Sequence, residues 1–200
     1  IGWLVGEENR GLAHMFTMMN NARLAVGMQG VAIAEGATQK AISFAKERRQ
    51  GREAGSKNPA MSPIIVHPDV QRMLLTMKSH TQAARSICYA CAVAIDRSQA
   101  GEHAAFWADR AAFLTPLAKA FATDVGMEVA SLGVQIHGGM GFVEETGAAQ
   151  FLRDARIAAI YEGTNGIQAA DLVTRKLPLS GGQPVRAAIA SYKSSAATAR

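Results

Sequence analysis

Residues 102–137 read EHAAFWADRAAFLTPLAKAFATDVGMEVASLGVQIH, and the apolar residues of this stretch recur at steps of three and four. Such spacing places side chains on one face of an α-helix. Pro116 lies inside the stretch, where a proline removes one backbone hydrogen bond, so a kink is expected there. The stretch predicts one long helix. The residues expected to face inward are Leu114, Leu117, Phe121, Val125, Val129, Leu132 and Ile136.

Two further long windows precede this one. The first runs from about residue 12 to residue 50, with a bend expected near Gly27 or Gly30, and its inward face comprises Leu24, Val31, Ala34, Ala41, Ile42 and Ala45. A loop rich in Gly, Ser, Lys, Asn and Pro follows at 51–68. The second helix begins near Pro68, because proline suits a first helical turn and Asp69 complements the helix dipole. It ends near Ala100, and its inward face comprises Val70, Leu74, Met77, Ile87 and Cys91.

The fold class that these windows predict is all-α. Only six prolines occur, and no stretch shows the strict apolar and polar alternation of a strand. Three long helices with short connections favour antiparallel neighbours in an up-down four-helix bundle. A shorter helix at 165–177 is expected to supply the fourth member, and the tail beyond Pro178 is expected to be weakly ordered.

Composition narrows the class of protein. The net charge of +5 suits an anionic ligand such as a nucleotide, but the basic residues are scattered, which argues against nucleic acid as a partner. The pair Cys88 and Cys91 lies in an apolar helical run, so packing is favoured over a metal or redox role. No apolar run is long enough to span a membrane and no signal peptide is visible, so a cytoplasmic protein is expected. The chain starts without Met, which suggests a fragment and leaves a mitochondrial location open.

Residues 135–168, QIHGGMGFVEETGAAQFLRDARIAAIYEGTNGIQ, interrupt the helical pattern with glycines and polar residues. Gly138, Gly139 and Gly141 follow the third helix, where one glycine suffices for a cap, so either a helix stop or close backbone approach to a ligand is possible. Glu162 follows the apolar residues 157–161 and precedes Gly163. It is either a desolvated base or an ordinary charge at the start of the next helix.

The strings GVQIHGGMGF (133–142) and RDARIAAIYEGTNGIQ (153–168) resemble two motifs of the acyl-CoA dehydrogenases. The string LVGEENRGL (4–12) resembles the exit from that family's middle β-domain, and residues 20–51 resemble its first long C-terminal helix. The resemblance implies that residues 1–11 leave a preceding β-domain and that 12–177 form the C-terminal helical bundle domain. Residues 178–200, which have no counterpart, are a tail or the start of an extension.

The resemblance implies that Glu162 is the base that removes the α-proton of an acyl-CoA thioester, while the β-hydrogen leaves as hydride to FAD. The product is the trans-2-enoyl-CoA, and electron-transferring flavoprotein takes the electrons. Some members carry the base on the first helix, at the position of Ala22, where this chain has no carboxylate. Two alternatives stay open: an acyl-CoA oxidase, and a non-catalytic helical module that binds flavin or nucleic acid.

The same resemblance implies the remaining site residues. The FAD contacts are Arg48, Gln135, Gly138, Gly139 and Thr164, and the substrate contacts are Arg23, Tyr161 and Gly163. No metal is implied, a homodimer or homotetramer is expected, and the fragment alone should be inactive. Gly51 and Gly166 depart from the usual phenylalanine and glutamine, a pattern similar to a subgroup of larger members that includes methylmercaptopropionyl-CoA dehydrogenases.

Overall fold

The computed structural model describes residues 1–198, and regular structure in that part of the chain is helical throughout, which confirms the all-α class. The α-helices are α1 (Gly11–Glu47), α2 (Pro68–Gln99), α3 (Ala104–His137), α4 (Gly139–Phe142), α5 (Ala148–Ala158), α6 (Asn165–Asp171) and α7 (Gln183–Thr198). Short 3₁₀ turns occur at Ile64–Val66, Glu144–Thr146 and Leu179–Gly182, and a π turn at Leu172–Lys176.

Helices α1 and α3 run parallel and lie in backbone contact. A Cβ added to Gly27 would lie 2.8 Å from the carbonyl oxygen of Ala118, and one added to Gly30 would lie 2.3 Å from that of Ala122. Both glycines are therefore needed for close helix approach, and α1 continues through them without interruption. α3 likewise continues through Pro116.

Helices α2 and α5 run in the opposite direction and complete the bundle. Along α2, the Cys88 and Cys91 thiols face successively earlier residues of α3. Phe151 of α5 packs against Gly36, whereas Tyr161, which follows α5, contacts Gln29 earlier in α1. The order is thus up, down, up, down, as the sequence predicts.

The fourth member of the bundle is α5, and the expectation that residues 165–177 supply it is wrong. α5 buries Ala148, Ala155 and Ala158 against α1 and α3. Because glycines flank this short amphipathic helix, the sequence pattern did not predict it. The stretch at 165–177 is helical, as predicted, since the π turn continues α6, but among the long helices it packs mainly against α3.

Three other expectations need correction. The tail is not weakly ordered, since α7 buries Pro184 and Ala188 and contacts α3. Phe121 does not face the core but is 40% exposed. The first helix ends at Glu47, so Arg48 is its C-cap and not a helical residue.

The core is made mainly of small side chains, which allows the helices to approach closely. Cys88 and Cys91 are both buried in it, and burial together with the charge of a neighbouring Cys91 thiolate raises the pKa of Cys88 to about 11. Thiolate is therefore scarce at neutral pH. Within residues 1–198, no group of His, Cys, Asp and Glu side chains could hold a metal ion. None of the helices described is both long and apolar enough to cross a bilayer.

Candidate functional site

The chain reverses sharply between α5 and α6 in a segment that we term the Glu162 turn (residues 159–165). Glu162 has φ 54° and Gly163 has φ 83°, so two consecutive residues adopt the left-handed conformation. For a residue with a side chain this conformation costs about 1–2 kcal/mol. Such strain persists only where the surroundings determine the backbone, and it clusters at functional sites.

On the α1 side, the Glu162 turn lies against a buried arginine. Arg23 is 5% exposed and its Nη1 lies 3.6 Å from Oδ2 of Asp171, which is also buried. The side-chain amide of Gln168 donates to the Gly163 carbonyl over 3.2 Å. A Cβ on Gly163 would lie 2.8 Å from that amide nitrogen and 3.7 Å from Nη2 of Arg23, so no side chain fits there.

The neighbours of Gly163 are held by hydrogen bonds of their own. The Tyr161 hydroxyl donates to the side-chain oxygen of Gln29 on α1. The Thr164 hydroxyl accepts from the backbone N–H of Ile167 over 3.2 Å and so caps α6. Glu162, which lies between Tyr161 and Thr164 in the chain, is itself half-buried. Within residues 1–198, no protein acceptor takes the backbone N–H of Glu162.

On the α3 side, the turn is held by a lysine that the sequence motifs did not reveal. Lys119 is 0% exposed, and its ammonium donates to Oδ1 of Asn165 over 2.9 Å. The Asn165 amide donates in turn to Thr123 over 3.0 Å and to Asp124 over 2.7 Å. The sequence pattern did not mark it, because Lys119 lies outside the stripe of α3 that is predicted to face inward, which includes Leu114 and Val125.

The Lys119 ammonium lies among charges of both signs. Its pKa is lowered first by burial and, to a smaller extent, by the Arg23 guanidinium, while the carboxylates of Asp124 and Glu162 act in the opposite direction. The turn is thus surrounded by a mixed polar cluster rather than by an apolar pocket.

A second group of predicted residues lies at the far end of α3, in an open depression that we term the glycine groove. Its lining residues are Phe44, Arg48, Gln50, Ile64, Ile136, His137, Gly138, Gly139 and Met140. Arg48 is exposed, and the His137 ring stacks on Phe44 with centroids 4.3 Å apart. Gln135 is exposed nearby, and its carbonyl accepts from the Gly138 N–H over 3.0 Å.

The three glycines after α3 have different reasons to be glycine. Gly138 has φ 60° and ends the helix. A Cβ on Gly141 would lie 2.3 Å from the Val134 carbonyl oxygen. Gly139 has neither constraint, since nothing lies within 4 Å of the position that a Cβ would occupy and its φ is not positive. The fold alone therefore does not explain Gly139.

The predicted site residues thus fall into two separate groups. Arg23, Tyr161, Glu162, Gly163 and Thr164 meet at the Glu162 turn, beside Lys119 on α3. The second group, in or beside the glycine groove, comprises Arg48, Gln135, Gly138 and Gly139. With a rise of 1.5 Å per residue, Lys119 and His137 are about 25 Å apart along α3.

Comparison with known proteins gives a consistent result. The acyl-CoA dehydrogenase C-terminal domain matches residues 9–177. A 3-methylmercaptopropionyl-CoA dehydrogenase of Ruegeria pomeroyi is 54% identical over 187 residues, which cover 92% of this chain and 32% of that protein. The chain therefore spans about a third of the length of this relative.

Solved structures share the fold. Butyryl-CoA dehydrogenase of Megasphaera elsdenii superposes with a TM-score of 0.69 at 33% identity, covering 84% of this chain and 39% of that one. A structure described as the electron transferring flavoprotein of Acidaminococcus fermentans superposes with a TM-score of 0.70 at 30% identity, covering 85% and 40%.

Proposed function

Because the chain belongs to the acyl-CoA dehydrogenase family, we propose that Glu162 is the base that removes the α-proton of an acyl-CoA thioester in the full-length protein. The product is the trans-2-enoyl-CoA. The observation that carries the proposal is the strained left-handed backbone of Glu162, in a turn that is hydrogen-bonded to Gln29 on α1 and to Lys119 on α3. A base must be held within a fraction of an ångström of its productive position, and a braced turn does this better than a mobile loop.

The backbone of the same residue offers a second contribution. An α-proton is too weakly acidic for a carboxylate unless the thioester carbonyl is polarised by oriented donors. The Glu162 backbone N–H has no acceptor within residues 1–198 and is free to serve that purpose. One residue would therefore supply both the base and a hydrogen bond to the carbonyl oxygen, with Arg23, Tyr161 and Gly163 forming the surrounding wall.

The glycine groove fits part of an FAD molecule. A guanidinium fork such as that of Arg48 suits a diphosphate, and the free space above Gly139 allows a ligand to approach the backbone closely. When bound, FAD supplies the acceptor for the hydride that leaves the β-carbon. Since the groove lies about 25 Å from Lys119 and the Glu162 turn beside it, we assign it to the adenosine diphosphate portion of FAD held by a second copy, in a homodimer or homotetramer. Thr164 is the candidate contact to the flavin beside the base.

The redox partner in this proposal is an electron-transferring flavoprotein. A structure described as such a protein is among those that share the fold. The substrate is an acyl-CoA thioester, and the similarity to a 3-methylmercaptopropionyl-CoA dehydrogenase makes thioether acyl groups worth including in any panel.

The decisive experiment is Glu162→Gln in the full-length protein. Amide replaces carboxylate at nearly constant volume, so flavin should stay bound while its reduction by acyl-CoA slows at least about hundredfold, the usual consequence of removing a general base. Stopped-flow flavin bleaching with a panel of acyl-CoA thioesters measures this rate. The matched control is Glu145→Gln, at an exposed position, which should leave the rate unchanged. An unaltered rate in Glu162→Gln would exclude the assignment.

A further inference from the structure

Lys119 is the largest fully buried side chain of the molecule among those described, and the proposed chemistry does not use it. Lysine is almost never fully buried unless its charge is paired, because removal of an ammonium from water is costly. A buried lysine kept in the centre of a helical bundle therefore requires a reason. The reason is found in Asn165, the one hydrogen-bond partner of the Lys119 ammonium among residues 1–198.

Asn165 connects the Glu162 turn to α3. Its backbone N–H donates to the carbonyl of Ala159 over 3.2 Å, which closes the turn. Its side-chain amide donates to Thr123 and Asp124, while its side-chain oxygen receives the Lys119 ammonium. The side chain of Asn165, three residues after Glu162, thus attaches the turn to Lys119, Thr123 and Asp124 of α3.

The charges around Lys119 also favour a role at the turn. Burial lowers its pKa, but the carboxylates of Asp124 on α3 and Glu162 on the turn counteract this effect, whereas Arg23 on α1 adds to it. The carboxylate of Asp171 on α6 is already paired with Arg23, at 3.6 Å, and with Arg175, at 2.6 Å. Asn165 is therefore the neutral link between the ammonium and the turn.

We propose that Lys119 is a positioning residue for the base: through Asn165 Oδ1, its ammonium holds the Glu162 turn against α3. This inference rests on the proposed function, since it gives Glu162 a base to position. A purely structural lysine would support folding without a specific effect on the reaction. A positioning lysine makes a different prediction, because a displacement of about 1 Å at a reacting group costs about hundredfold in rate.

The test is Lys119→Met in the full-length protein, since methionine keeps an unbranched chain of similar volume and removes the donor. We expect the limiting rate of flavin reduction to fall roughly tenfold to hundredfold. The acyl-CoA concentration at half-saturation should change less than about twofold, and flavin content should be retained. Lys193→Met, at an exposed position of α7, is the matched control and should be silent.

Two further measurements separate positioning from folding. Hydrogen exchange should increase for the hydrogen-bonded backbone amides of Asn165 and Ile167 in Lys119→Met and stay unchanged in the middle of α3. Asn165→Ala should slow flavin reduction at least as much, since it also removes the bonds to Thr123 and Asp124. The double variant should be no slower than Asn165→Ala, because Lys119 acts only through Asn165. Asn165→Ala also serves as the test if Lys119→Met fails to fold.

The proposal is overturned if Lys119→Met, or Asn165→Ala in its place, reduces flavin at the parent rate. It is equally overturned if the rate loss only follows a loss of flavin or of folded protein, or if the two variants act additively. Failure of the underlying function is seen separately, as an unchanged rate in Glu162→Gln. If Glu162→Gln is inactive while Lys119→Met is fully active, the positioning role of Lys119 is refuted and the proposed function of Glu162 stands.

Discussion

The Glu162 turn and the glycine groove are built on the same helix, about 25 Å apart, and they differ in how they are held. The turn is fixed within one chain, by the hydrogen bond of Tyr161 to Gln29 on α1 and by that of Lys119 on α3 to Asn165. The groove is lined by the exposed Arg48 and by glycines that face empty space. The difference teaches that contacts within the chain fix the first region, whereas they leave the second open to a ligand.

This difference predicts how substitutions divide between stability and function. Around the turn, where charges are buried and backbones lie close together, the proposed function requires the same residues to serve both folding and chemistry. In the groove, residues with no contact inside the chain should affect only ligand binding. Three substitutions test the contrast, from the largest expected effect to the smallest.

The largest effect is expected for Asp171→Ala. The substitution leaves the 5% exposed Arg23 without its carboxylate partner. Removal of one member of a buried ion pair costs about 3–5 kcal/mol, because the remaining charge stays buried. Thermal and denaturant unfolding of the purified protein measure the loss. Glu144→Ala, which removes the exposed ion pair with Arg153, is the control and should produce no measurable change.

A stability loss as small for Asp171→Ala as for Glu144→Ala would break the comparison. It would show that Arg23 reaches water once its partner is removed, and that the Glu162 turn is less enclosed than the burial of Arg23 indicates.

An intermediate effect is expected for Gly163→Ala. Alanine is strained at φ 83°, and its Cβ would lie 2.8 Å from the Gln168 amide. We expect a loss of about 1–3 kcal/mol in the free energy of unfolding, together with slower flavin reduction because Glu162 is displaced. Gly166→Ala is the control in the adjoining helix, where the nearest atom is 3.9 Å away, and it should be neutral or slightly stabilising. Equal stability of the two variants would contradict the tight fit at Gly163.

The smallest effect on stability is expected for Gly139→Ala, within about 0.5 kcal/mol of the parent, since its Cβ meets no atom within 4 Å. The affinity for FAD should nevertheless fall, because the methyl group occupies the space through which the ligand approaches the backbone. Fluorescence titration of the flavin-free protein with FAD measures this affinity. Gly141→Ala, whose Cβ would lie 2.3 Å from the Val134 carbonyl, should instead lower stability. Unchanged FAD affinity in Gly139→Ala would remove the groove from the cofactor site.

Periodicity was sufficient to predict the three long helices, and the bounds of α2 and α3 agree to within two residues. It failed at α5, because a helix of eleven residues between glycine-rich turns offers too few repeats for a pattern to stand out. Periodicity also failed at α7, because an alanine-rich segment shows little contrast between an apolar and a polar face. The packing of this helix against α3, which buries Ala188, is seen only in the structure.

The candidate site divides in the same way. Glu162 and its neighbours could be proposed from a local string of residues that resembles a family motif. Lys119 and Asn165 could not, because they are 46 residues apart in the chain and their contact exists only after α3 and α6 have packed together. The sequence shows neither that this lysine is buried nor what its ammonium contacts.

The amino-acid sequence by itself determined the class, the three long helices, the family and the candidate base, because each depends on short-range spacing or on a contiguous motif. Only the tertiary structure decided which helix completes the bundle, which glycines the fold requires and which buried charges surround the Glu162 turn. The physical reason is that burial, close backbone approach and ion pairing are properties of segments distant in sequence that are brought together by packing.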